Sequence, residues 1–160
     1  MKKTLSLICV ISLLACSLSL QASDARLANQ LIGEWQCSQQ IQPDPSMTIK
    51  IDYIQLFTGQ RHFTLDGNME MSFAGQQLSY KFEGSGDWST GPGRLTIKTR
   101  NSNAQPTNAL AQQLHDAGIL DVNQLRDLES DDTFEMVSIT QQAMELRHLE
   151  EDFSTRCVRR

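Results

Sequence analysis

The chain has 160 residues, 14 Lys plus Arg against 19 Asp plus Glu, and four cysteines. Lys2 and Lys3 belong to an N-terminal leader; without them 12 basic residues face 19 acidic ones, a net charge of −7. That balance excludes nucleic acid and anionic membrane surfaces as partners, and about 138 remaining residues suit one domain with one core.

The leader comes first. Lys2 and Lys3 precede an apolar run from Leu5 to Leu20, interrupted only by serines, and polar chain begins at Gln21. Charge, apolar core and small residues in that order predict a secretory signal peptide, 1–22, cleaved after Ala22. The run is too short to span a bilayer core of ~30 Å comfortably. A second cleavage site competes. Leu13-Leu14-Ala15-Cys16 looks like a bacterial lipobox, which would remove 1–15 and leave Cys16 as a lipidated first residue. The expected location is therefore periplasmic or secreted, with an outer-membrane lipoprotein anchored at Cys16 as the alternative.

Residues 23–160 then read as one domain. A short helix near Asp24–Leu31 leads into strands at about 34–42 and 47–57, with Pro43 and Pro45 marking the loop between them. Strands at 61–66 and 68–74 follow. Asp66-Gly67 between them is a two-residue hairpin signal, although the two pieces also read as one bent strand. Further alternation predicts strands at 77–88 and 93–100.

From Pro106 to Ser130 the hydrophobic period shifts toward that of a helix. Thr107 or Asn108 can cap a first helix carrying Leu110, Ala111 and Leu114, stopped at Gly118. Asp121 with Gln124 opens a second, with Val122, Leu125 and Leu128. Strands at 133–140, 143–149 and 153–159 complete the chain. The fold class is mainly β: an antiparallel meander of eight or nine strands, with a helical insertion at about 106–130. Short connections and that strand number predict closure into a small barrel.

Cysteine arithmetic supports closure. Cys9 and Cys16 lie in the leader, which leaves Cys37 and Cys157 in the domain. In an oxidising compartment an even pair reads as one disulfide, the alternative being two buried thiols. If the two pair across antiparallel first and last strands, paired residue numbers sum to 194, setting Trp35 opposite Arg159, Gln39 opposite Thr155 and Ile41 opposite Phe153. This face is the more apolar of the two and should point inward.

Gly33-Glu34-Trp35, standing after a helical lead-in at the start of the first strand, resembles the Gly-x-Trp motif of the lipocalin (calycin) superfamily. The hairpin from Thr140 to Arg147 followed by a last strand is also similar to the end of bacterial lipocalin-like domains. The resemblance implies a lipocalin-like barrel and assigns Gly33, Trp35 and Arg159 to a structural contact, the arginine packing over the tryptophan. Two features depart from the family pattern: the helices lie between strands rather than after the barrel, and its middle Thr-Asp-Tyr motif is not evident.

Chemistry is sparse. His62, His115 and His148 share no metal-ligand spacing. The acidic cluster Asp127, Glu129, Asp131 and Asp132 lacks the alternating ligands and central glycine of a calcium loop, and reads as a solvated helix end. No nucleophile elbow or phosphate loop is present. The chain is therefore expected to be no enzyme and to need no cofactor or metal. What remains is an inward row comprising Tyr53, Met69, Met71, Phe73, Tyr80, Phe82, Met136, Met144 and His148, which either fills the barrel or lines an apolar pocket. The favoured function is exported, non-catalytic binding of a small apolar or amphipathic ligand, with the 106–130 helices as lid or rim. The alternative is an envelope accessory protein or inhibitor that contacts a protein partner through those helices. Any membrane attachment would run through a lipid on Cys16.

Overall fold

The computed structural model describes residues 24–119 and 131–160. The leader, both cleavage sites, Cys16, the second predicted helix, and Asp127 and Glu129 of the acidic cluster lie outside the described residues. Helix α1 (24–31) leads into β1 (Gly33–Asp44), β2 (Met47–Phe57), β3 (His62–Phe73), β4 (Gln76–Gly91) and β5 (Arg94–Pro106). Helix α2 (Ala109–Asp116) follows, then β6 (Asp131–Ile139), β7 (Ala143–His148) and β8 (Ser154–Arg159). Each strand pairs antiparallel with the next, and β8 returns to β1, so the eight strands form a closed barrel with no free edge.

The closing seam has the register expected from the cysteines. Trp35 faces Arg159, Gln36 faces Val158 and Cys37 faces Cys157. Cys37 and Cys157 are disulfide-bonded, their Cα atoms 4.0 Å apart across 120 residues of chain. Trp35 and Cys37 are buried while Gln36 and Ser38 are exposed.

Two expected boundaries are corrected. Asp66-Gly67 is no hairpin: β3 runs through it unbroken, with Asp66 opposite Ile54 and Gly67 opposite Tyr53. A Cβ at Gly67 would collide with the Tyr53 side chain and the Asp52 carbonyl, so this glycine serves close approach rather than a turn. The turn lies further on, at Ala74 (φ 50°) and Gly75 (φ 77°), between the paired Phe73 and Gln76. The strand expected at 93–100 continues to Pro106. Its polar extension pairs with Tyr80–Ser85 beyond a register shift at Ser85/Gly86. A Cβ on Gly86 would overlap the Lys98 carbonyl, which is why the bulge carries glycine.

In an up-and-down barrel, alternate connections share an end. The β1–β2, β3–β4 and β7–β8 connections, with α2 after β5, lie at one end, called the mouth. The β2–β3, β4–β5 and β6–β7 connections and α1 lie at the base. The base holds the main core: Leu31, Trp35, Phe57 and Leu95 are 0% exposed, with Phe63, Trp88, Met144 and Leu146 packed among them. A smaller cluster, centred on Leu78, Tyr80 and Ala111, joins α2 to the mouth.

Candidate functional site

The base is sealed by one arginine. Gly33 has φ 132°, a conformation that side chains rarely adopt, and a Cβ there would strike the Arg159 guanidinium. That guanidinium lies 4.2 Å from the centre of the Trp35 ring. It donates to three backbone carbonyls: Gln141 (2.7 Å), Ile32 (2.8 Å) and Gln30 (2.5 Å). Trp35 donates its indole N–H to the Leu31 carbonyl at 2.8 Å. Three separate segments are thus tied across the closed end, by a delocalised cation that five fixed donors suit to this task.

Above this seal lies a polar layer. The Thr155 hydroxyl donates to Gln39 Oε1 at 2.6 Å. Burial pushes the Tyr53 hydroxyl up to about 12, and the Thr155 side chain within hydrogen-bonding reach offsets only part of that. Gln55 is also enclosed, at 2% exposure.

Beyond the polar layer the interior opens. The register aims Ile41, Ile49, Ile51, Met69, Met71 and Phe82 inward, yet each is only half-buried. These side chains face the barrel axis and stay partly exposed, although Met69 and Met71 also pack against the Leu78–Tyr80–Ala111 cluster. Helix α2 covers part of this end against β4 and β5, placing Leu110, Ala111 and Leu114 beside Leu78 and Tyr80. Its start is fixed by Asn108, which accepts from the Ala111 N–H (2.9 Å) and donates to the Gln77 carbonyl (2.8 Å).

The residues singled out from sequence fall into four groups. Met69, Met71, Tyr80 and Phe82 gather at the mouth with Tyr53 beneath them, the Tyr53 and Phe82 ring centres 6.3 Å apart. Phe73 stands at the outer rim, 48% exposed. Met136 and Met144 belong instead to the base core. His148 is buried at 8% exposure between Phe134 and Phe153, and its nitrogens are engaged. Nδ1 accepts the backbone N–H groups of Glu150 (3.2 Å) and Glu151 (3.0 Å), leaving Nε2–H to face Asp132 at 3.4 Å. It orders the β7–β8 turn. Sequence reasoning did not name Ile49, Ile51 or Leu78 as lining, although they continue the same alternating rows, nor Ala104, which the pairing with Phe82 places there.

A concavity of about 550 Å³ lies on the outer face of β1–β5, lined by Glu34, Leu56, Asp66, Glu83 and Asn103 among others. Its carboxylates already have partners: Glu34 with Arg160 (3.2 Å), Asp66 with Lys81 (3.0 Å) and Glu83 with Asn103 (3.2 Å). Among the described residues no three of His, Cys, Asp and Glu gather as a metal site, and no helix is long and apolar enough to cross a membrane. No protein-family model matches this chain, and no curated protein sequence matches it.

Proposed function

We propose that the protein is an exported, non-catalytic carrier that holds a small apolar or amphipathic ligand in the mouth of its barrel, on the lipocalin plan. One observation carries this: the inward row at the mouth is apolar and half-exposed, while the base is sealed and fully packed. Interior apolar surface that no side chain covers is the feature of a ligand cavity, and methionine lets such a cavity adapt to its occupant. Export follows from the leader, and suits a domain whose first and last strands are joined by a disulfide.

The test uses protein purified from the periplasm and the neutral probe N-phenyl-1-naphthylamine. Saturable fluorescence enhancement, abolished by Met71→Glu in a variant of unchanged melting temperature, is the expected outcome. An absence of enhancement, with no lipid detected by native mass spectrometry, would overturn it. The N-terminal mass of the same preparation decides between a mature chain beginning at Ser23 and a lipidated Cys16.

A further inference from the structure

Among the described residues, two buried polar atoms in the α2 region have no hydrogen-bond partner. The Tyr80 hydroxyl is enclosed, on a residue only 1% exposed, and makes no hydrogen bond among the described residues. His115 Nδ1, on α2 one turn beyond Ala111, is likewise buried and unpaired. Buried polar groups almost always find a partner, because leaving one unmade costs about 1–3 kcal/mol. Tyr80 points inward by register, between Met69 on β3 and Pro106 on β5. Its surroundings are Leu78, Met69, Met71 and the apolar face of α2. None of these side chains carries a strong acceptor; the Met69 and Met71 thioether sulfurs accept only weakly.

Resting on the carrier reading, we propose that the ligand is an uncharged amphiphile, an acyl ester or long-chain alcohol, whose single carbonyl or hydroxyl oxygen accepts a hydrogen bond from Tyr80 beneath α2. The acceptor answers the enclosed Tyr80 hydroxyl, a donor with no partner among the described residues, and burial further disfavours its phenolate. The lack of charge follows from the walls. The inward positions near Tyr80 are Ile49, Ile51, Met69, Met71, Leu78 and Ala104, and Lys50 and Lys81 stand on the outer face. A carboxylate brought there would be a buried anion facing no Lys or Arg among the described residues, which costs far more than one hydrogen bond returns. The alkyl portion of the ligand would lie along the half-exposed row of Ile and Met.

Three probes that share a chain length separate the terms: 1-monolauroylglycerol, laurate and dodecane, each displacing N-phenyl-1-naphthylamine at pH 8. The monoacylglycerol should bind about tenfold more tightly than either of the others, the equivalent of one net hydrogen bond. Tyr80→Phe should erase its advantage over dodecane and leave dodecane unchanged. Because that substitution removes an unpaired hydroxyl, its melting temperature should not fall. Laurate binding as tightly as the monoacylglycerol overturns the inference, and so does an unchanged preference in Tyr80→Phe. If dodecane binds but no head group matters, the carrier reading stands and this inference falls. If no probe binds, both fall. The wild-type comparison of the three probes stands whether or not the variant folds.

Discussion

The two ends of the barrel come from the same alternating strands and differ in what meets inside them. At the base, Trp35, Phe57, Phe63 and Trp88 converge under α1 and are buried. Phe57 and Trp88 meet edge to face, with ring centres 5.5 Å apart. At the mouth the inward positions carry Ile and Met, the β6–β8 side contributes only short strands, and one eight-residue helix gives partial cover. Alternation decides which way a side chain points. Whether it is then buried depends on the bulk arriving from the opposite wall. The base receives large rings from β1, β2, β3 and β4 beneath α1; at the mouth the buried ring is Tyr80, packed against α2, and Phe82 beside it is half-buried. Stability should therefore reside at the base and ligand capacity at the mouth, and each of the following changes tests that division.

The largest effect is expected at the seam. Cys37→Ser with Cys157→Ser releases a cross-link spanning 120 residues. The chain-entropy description predicts a loss of about 4–5 kcal/mol in urea unfolding, with probe binding recovered wherever the protein remains folded. An unchanged midpoint would mean that the packed base closes the barrel unaided. Arg159→Ala comes next. It removes the cation over Trp35 and leaves the Gln30, Ile32 and Gln141 carbonyls without their donor, a loss of about 2–3 kcal/mol. Arg159→Lys should recover less than half of that, since a point charge cannot serve three carbonyls in one plane.

Much of the base was legible in the residues. The Cys37–Cys157 register follows from two cysteines and a parity argument, and it brings Trp35 against Arg159. Helix α2 follows from Asn108 and Gly118, because caps are local. The misses share a physical reason. Gly67 carries a hairpin signal, yet the same missing Cβ serves close approach to Tyr53, and sequence does not separate the two uses. Residues 101–106 show no alternation, and only the partner strand β4 makes them a strand. His148 sits on the inward row as expected, but its nitrogens are taken by the N–H groups of a turn whose geometry is set in three dimensions. The division of the inward row into filled and open halves depends on what crosses the barrel, and no single strand encodes that.

The polar layer between the two halves gives a pH signature. Tyr53 titrates near 12 in the folded protein against about 10 when exposed. The folded state thus holds this proton more tightly than the unfolded one. The associated stabilisation is complete below pH 10 and is lost as pH rises toward 12. Unfolding midpoints measured from pH 9 to 12 should fall across that window, and Tyr53→Phe should flatten the decline. A variant that declines as steeply as the parent would place the titration elsewhere.

The smallest expected effect is the most direct comparison, because one residue type occupies both ends. Met144 is 2% exposed within the base core, and Met71 is half-buried at the mouth. Truncating a packed methionine to alanine costs about 2–5 kcal/mol, part of it for the cavity left behind. At Met71 part of the side chain already faces water, so there is less transfer energy to lose, and its packing is confined to one side, against the small Leu78–Tyr80–Ala111 cluster. Met71→Ala should cost under about 1 kcal/mol in urea unfolding, while weakening N-phenyl-1-naphthylamine binding several-fold. Met144→Ala should do the reverse, lowering stability and sparing the affinity of the folded fraction. Equal stability losses at the two positions would mean that the mouth is as well packed as the base, and the cavity on which the carrier function depends would not exist.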